Sequence, residues 1–366
     1  MSTTLRAAVV GCGSIAPNHL EAYRATPGVE LVAVSDVDAG RAQARATAYG
    51  APRAITRVED VLDLGVDLVS VCTPHPVHEE VVLAAAAAGV HVLCEKPVAV
   101  DLAAGARMVA ACREAGVRFG GVFQRRFWPA AQRLRRAVDD GTLGTPVLAQ
   151  VTALMHRTTE YYTADPWRGS WATGGGGVLM TQTVHQLDLL QWLLGPVATV
   201  QGAVATYRHG EHIEVEDSAT AVLTFAGGAM ATVLATTAAE PNLGIDLTVT
   251  GSTGATVGLR ELPEGAEGVN HLWAVGDRAE ERPRSADGRL PEVDLPAING
   301  RLVPFHSLQV ADFVEAVRGG RDPLVTGEDA LAALAIVLAV YASAREAGPV
   351  RPADLVVAAQ PVGVAR

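Results

Sequence analysis

Over roughly the first 125 residues, short apolar runs alternate with helical stretches, and this order restricts the fold more than any other feature of the chain. Strands that alternate with helices bury both faces of a parallel sheet. Ala7 to Val10 is an apolar run that ends at Gly11. Ser14 to Thr26 follows as a helix, with Pro17 tolerated in its first turn. Val29 to Ser35, Asp67 to Cys72, Val90 to Cys94 and Val117 to Phe123 read as further strands. Helices are expected at Arg41 to Tyr49, at Val77 to Ala88 and at Leu102 to Ala115, the last with Asp101 as N-cap and Gly116 as its stop.

The texture then changes. Phe127 to Asp139 reads as a basic amphipathic helix bridging two domains, 1–125 and 126–366. Beyond it come β-rich runs at Val147 to Met155, Val197 to Tyr207, Ser218 to Phe225, Met230 to Thr237 and Leu247 to Thr250. Phe225 to Met230 reads as a hairpin turn. Strands that follow one another without helices favour an antiparallel or mixed sheet. Glu261 to Pro304 is polar and rich in Pro and Gly, so loops are expected there, with late helices near His306 to Val317 and Glu328 to Ala344.

Composition narrows the function. Among 366 residues, 49% are hydrophobic, enough for two cores, and the net charge of -11 argues against a nucleic-acid partner, which would call for a basic surface. No apolar stretch reaches the roughly 18 residues of a membrane span, and Ala330 to Ala342 reads as a buried helix. The opening residues carry no signal segment, so a cytoplasmic protein is expected. Cys12, Cys72, Cys94 and Cys112 form no C-x-x-C pair and read as small buried hydrophobes, with no metal site.

Gly11-Cys-Gly13-Ser14-Ile15-Ala16 closes the first strand and opens a helix. In that context the first glycine permits a tight turn, the second lets backbone approach a pyrophosphate, and a small third residue packs helix on strand. The helix N-terminus adds free N–H groups and partial positive charge. Asp36 ends the second strand at the distance suited to ribose hydroxyls. A 2′-phosphate at about 4 Å from that carboxylate would cost about 4 kcal/mol at an effective dielectric of about 20, which favours NAD over NADP. Arg41 keeps NADP open. Thr73-Pro74 ends the third strand, and His78 follows as part of a polar helix start lining the cofactor cleft.

Glu95-Lys96-Pro97 ends the fourth strand. Ligands of open α/β sheets bind beyond the carboxyl ends of the strands, so Glu95 is expected beside the cofactor and Lys96 on the substrate oxygen. Further on, Gly174 to Gly177 opens the stretch Val178 to Leu194. On an α-helix Thr181, His185, Asp188 and Trp192 share one face. His185 suits acid/base work near neutral pH, and Asp188 could orient it. The glycine run would let backbone approach a ligand. Tyr161-Tyr162 and Trp167-Arg168 precede it, aromatics for a sugar face beside an arginine fork for a polyol or an anionic group. His209-Gly-Glu-His212 with Glu214 and Glu216 reads as a solvated turn rather than a metal site.

With these motifs in order, together with Gln124-Arg-Arg126-Phe127, Glu216-Asp217-Ser218 and His306 before Asp312-Phe313, the chain resembles the Gfo/Idh/MocA oxidoreductases over nearly its whole length. The resemblance implies an N-terminal Rossmann domain with a doubly wound parallel sheet, then an α/β domain with a large, mostly antiparallel open sheet used for oligomerisation as a homodimer or homotetramer. It implies NAD(P)-dependent hydride transfer at a hydroxyl or carbonyl carbon of a sugar, inositol or sugar derivative. Lys96 and His185 match the family's catalytic lysine and histidine, and its usual aspartate falls on Thr181. Two alternatives stay open: an NAD-dependent glycosidase working by transient oxidation, and a non-catalytic dinucleotide sensor.

Overall fold

The computed structural model describes residues 4–282 and 294–359, and the chain divides into two compact units. One comprises residues up to 124 together with 302–331; the other comprises 125–301 and 332–358. The expected boundary near 125 therefore needs a correction, because a late segment returns to the first unit. The reason is apolar: Val310, Phe313 and Val314 belong to the same buried cluster as Val9, Leu68 and Leu93. Gln309 also donates from Nε2 to the Gly121 carbonyl at 2.7 Å.

The first unit holds a sheet of β1 (Leu5–Val10), β2 (Val29–Ser35), β3 (Ala54–Ile55), β4 (Leu68–Val71), β5 (His91–Cys94) and β6 (Phe119–Gly121). Every pairing is parallel and the order is β3-β2-β1-β4-β5-β6. This is the doubly wound order that reverses at β1 and places the ligand crevice at the carboxyl ends of β1 and β4. The alternation of apolar runs and helices thus becomes the expected parallel sheet. β3 has no counterpart in the sequence reading, since two half-buried residues make no apolar run. Asp38 and Asp101 cap the helices Ala39–Tyr49 and Leu102–Glu114, accepting from Arg41 N and Ala104 N at 2.9 and 2.8 Å. All four cysteines are buried and free.

The second unit holds β7 (Pro146–Leu154), β8 (Val197–Ala205), β9 (Ser218–Phe225), β10 (Met230–Thr236), β11 (Gly244–Gly251), β12 (Thr256–Glu261), β13 (Val269–Val275) and β14 (Arg278–Glu281). Their order is β14-β13-β12-β11-β7-β10-β9-β8, antiparallel except between β7 and β10. The loops expected across Glu261 to Pro304 hold at 262–268 and are overturned beyond. β13 and β14 run there, and a helix starts at Leu295 rather than near His306 and continues to Gly319. Residues 283–293 lie outside the described residues. The pattern failed because β14 is exposed throughout and β13 is mostly half-buried, so neither alternates between apolar and polar. The apolar helix spans Gly327–Glu346, which is long and apolar enough to cross a membrane by length and composition, and 72% of its apolar window is buried in the protein. It therefore exceeds the expected run while keeping the expected burial. Thr326 and Asp329 cap its start reciprocally, each backbone N–H reaching the other's side chain at 3.0 and 3.1 Å.

Candidate active site

At the carboxyl edge of the parallel sheet, β1 turns at Gly11, whose φ is +94°. A Cβ there would sit 2.5 Å from the carbonyl of Cys72, so the close approach of the loop after β4 demands glycine. Gly13 differs: nothing lies within 4 Å of where its Cβ would be. Its missing side chain leaves backbone bare for a ligand and relieves no internal clash. Ser14 is exposed, and Ile15 precedes the helix Ala16–Ala25 without a side-chain cap. Pro17 has no N–H and Asn18 N donates to the Ile15 carbonyl at 3.0 Å, so the helix start presents the Ala16 N–H to an anion. Asp36 follows β2, accepts from Cys12 N at 2.8 Å and from Asp38 N at 2.9 Å, and lies 3.2 Å from exposed Arg41. Thr73 Oγ1 is buried without a protein partner, and Pro74 beside it is exposed. A glycine cradle, an uncapped helix and an orphaned hydroxyl together fit a dinucleotide.

Two expected cofactor contacts are corrected. His78 is fully buried; its Nε2 lies 2.9 Å from the Thr73 carbonyl, and its Nδ1 lies 3.1 Å from the carbonyls of Pro97 and Val98. It ties the loop after β4 to the turn after β5, while burial lowers its pKa. Glu95 is likewise engaged on both oxygens. Oε1 accepts from His19 at 3.0 Å with His306 at 3.5 Å, and Oε2 accepts from Lys96 N at 3.1 Å. His19 is steadied on its other nitrogen by Ser70, and His306 by Asn18 and the Leu302 carbonyl. Burial alone would raise the Glu95 pKa, yet the two imidazoles hold it well below the usual carboxylate range. The three side chains lie close enough to hold a metal ion, but their hydrogen bonds describe a buried brace for the turn. Lys96 itself is half-buried at the end of this brace, ahead of a cis peptide to Pro97. His19 carries no motif signal in the sequence, and His306 enters there only as part of a motif.

In the second unit, a π-helical turn, Leu179–Thr183, leads into the helix Val184–Leu194. A π turn admits an extra residue and is frequent at functional sites. It disrupts the α spacing that would have aligned Thr181 with His185. Thr181 Oγ1 donates to the Gly177 carbonyl at 2.8 Å and meets Gln182 Oε1. Gln182 Nε2 donates to Tyr161 OH at 2.9 Å, a link missed from the sequence. His185 is buried near the helix start.

Asp188, expected to orient the histidine or to bind substrate, anchors an arginine. It is 1% exposed and grips Arg126, 2% exposed, through two bonds of 2.8 and 2.6 Å. Arg168 is corrected in part: its guanidinium is held by Asp165 at 2.8 Å and the Tyr161 carbonyl at 3.1 Å, and it stacks 4.4 Å over Tyr161 and 5.3 Å from Trp167. Both polar contacts fall on Nη1, so the charge is paired with Asp165 while the guanidinium lies over the aromatic rings.

The glycine run also serves another purpose than expected. Cβ atoms at Gly174, Gly176 and Gly177 would strike the Trp167 carbonyl, the Tyr341 hydroxyl and the Glu216 carbonyl. At these three glycines protein approaches the backbone. Glu211, His212 and Glu214 are exposed as expected of a solvated turn, while Glu216 and His209, each 2% exposed, are its exceptions. Asp217 accepts from the backbone of Tyr207, Arg208 and His209 there, a nest that folds the segment inward.

Comparison with known proteins agrees with this geometry. Residues 5–123 match the oxidoreductase family with an NAD-binding Rossmann fold, and residues 131–257 match the GFO/IDH/MocA C-terminal domain. D-apiose dehydrogenase of Paraburkholderia graminis is 31% identical, over 93% of this chain and 88% of its own. 1,5-anhydro-D-fructose reductase of Ensifer adhaerens is 32% identical, over 92% and 95%. The WlbA dehydrogenase of Bordetella pertussis, solved with NADH and UDP-GlcNAcA, superposes with a TM-score of 0.82 at 32% identity, over 96% and 98%. The bare Gly13 backbone, the orphaned Thr73 hydroxyl and these matches agree on NAD as the cofactor. The chain belongs to the Gfo/Idh/MocA family of NAD-binding oxidoreductases.

Proposed function

We propose that this oxidoreductase is a dehydrogenase or reductase of a sugar, inositol or sugar derivative, in which Lys96 and His185 handle the hydroxyl proton. When bound, the nicotinamide supplies the hydride chemistry. Lys96 hydrogen-bonds the substrate oxygen, and His185 takes its proton on oxidation and returns it on reduction. Thr181 cannot act as a base, so proton transfer rests on these two groups. The observation that carries the reading is the brace at the end of β5: His19, His306 and Glu95 fix the backbone from which Lys96 projects, at the edge where an open α/β sheet binds ligands.

Arg168 and Arg157 lie over the Tyr161 ring at 4.4 and 5.1 Å, so of the two expected aromatics Trp167 is the one to offer a ring face to a sugar. With Arg168 neutralised by Asp165 and Arg157 by Glu264, local charge favours a neutral polyol over a uronate. The chain assembles as a homodimer or homotetramer in the cytoplasm through the outer face of the second sheet. Leu148, Val222, Met230 and Leu234 are each 44–53% exposed there, with Leu148 registered beside Met230. The test is a panel of sugars, inositols, glycosides and their keto forms, followed by nicotinamide absorbance with NAD and NADP. Turnover of a neutral polyol is expected. Glycoside cleavage without net cofactor change would replace the reading, and NAD binding without any reaction would favour a sensor.

A further inference from the structure

We propose that Glu216 is a positioning residue for His185, capping from a distant part of the chain the turn that opens the histidine helix. The proposal rests on the assignment of His185 as a proton-handling group.

A helix start leaves its first N–H groups without partners inside the helix. Local sequence supplies nothing here: Gly174 to Gly177 carry no side chain, and Val178 makes no side-chain cap bond. Glu216 fills the role, 39 positions from Gly177. Its Oε2 accepts from Gly177 N at 2.8 Å and its Oε1 from Leu179 N at 3.0 Å. Its own backbone carbonyl accepts from Val178 N at 3.2 Å. One residue thus receives three successive N–H groups of the turn. Tyr341 OH donates to Oε1 at 2.8 Å and fixes the carboxylate from its other side.

The glycines complete the fit. Any side chain at Gly177 would overlap the Glu216 carbonyl, and any at Gly176 the Tyr341 hydroxyl. The run is shaped to this carboxylate and phenol. The turn beyond it, Leu179–Thr183, is π-helical rather than α-helical, a rare form frequent at functional sites. A carboxylate at this end also meets the positive pole of the helix. His185 lies within the first turn of the helix that continues from it, so the register set at residues 177–179 determines where its ring points.

Glu216→Gln keeps the volume but turns an NH2 group toward one of the N–H donors. A misplacement of about 1 Å costs on the order of 100-fold in rate, so Glu216→Gln should lower kcat by about 10- to 100-fold. The KM of the polyol should stay within about threefold, the pattern of lost transition-state contact rather than lost binding. NAD affinity should be unchanged. Amide exchange at 177–179 should quicken, a readout independent of turnover. Tyr341→Phe, which keeps the ring beneath Gly176, should show a smaller change in the same direction. Val233→Ala, a buried cavity substitution in β10, is the stability control and should leave kcat near wild type at a comparable loss of thermal midpoint.

Wild-type kcat and wild-type exchange in Glu216→Gln, with an inactive His185→Ala, would overturn this proposal alone. Equal loss of kcat in Val233→Ala would reduce Glu216 to a fold-stability role and overturn it too. A fully active His185→Ala would overturn the histidine assignment, and with it the purpose given to Glu216.

Discussion

The Arg126–Asp188 pair gives the sharpest stability prediction. Both side chains are almost wholly excluded from solvent, and two hydrogen bonds join them. Arg126 also lies 5.6 Å from the Trp192 ring, one turn beyond Asp188 on the same helix. Asp188→Asn preserves shape but leaves a guanidinium charge buried without its counter-ion. Breaking one partner of a buried pair costs about 3–5 kcal/mol, because the other charge stays desolvated. With a urea m-value of about 3 kcal/mol per molar, the midpoint should fall by about 1–1.7 M. Replacing both partners, as in Arg126→Met with Asp188→Leu, removes the orphaned charge and should recover much of the loss. Urea unfolding followed by circular dichroism measures all three variants. Under conditions where Asp188→Asn stays folded, its KM for polyol should be near wild type. A loss below about 1 kcal/mol together with a large rise in KM would refute the anchor and return Asp188 to the substrate.

Three further outcomes are expected. Gly13→Ala should leave the thermal midpoint unchanged, since its Cβ meets nothing, yet weaken NAD binding at least about tenfold by titration; unchanged affinity would place the pyrophosphate elsewhere. Asp36→Ser should raise kcat/KM for NADP relative to NAD by one to two orders of magnitude, roughly, as the like charge goes and Arg41 loses the nearer of its two carboxylates, keeping Asp38 at 3.9 Å; an unchanged ratio in coupled assays would refute that role. His19 and His78 have pKa values lowered by burial, so the unfolded chain binds protons that the folded chain refuses. Their stabilising contribution is full above the unfolded value near 6.5 and is lost as pH falls from there toward the folded values. Each should contribute a slope of up to about 1.4 kcal/mol per pH unit, and His78→Gln should flatten the curve measured by urea unfolding between about pH 5 and 7.

The first sheet was legible because its strands are buried on both faces and read as plain apolar runs such as Ala7 to Val10 and Val90 to Cys94. β3 was not, at two residues, nor were β13 and β14, whose burial does not alternate. In the site, the glycine signature falls on the turn after β1, yet sequence could not tell Gly13, bare toward open space, from Gly11, pressed against Cys72. The second glycine run announced a close approach without saying what approached. The partner proved to be Glu216 with Tyr341, contacts spanning 39 and 125 positions between Glu216 and its partners. Asp188 shows the same limit: helical spacing relates it to His185, but its bond to Arg126, 62 positions away, is encoded by no periodicity.

The most direct test compares Lys96→Ala and His185→Ala for two quantities, NAD binding by fluorescence titration and single-turnover reduction of NAD with a polyol found active for the wild type. Both variants should bind NAD with near wild-type affinity and lose at least about 100-fold in turnover rate. Retention of full turnover by either variant would contradict the assignment of proton transfer to these two side chains.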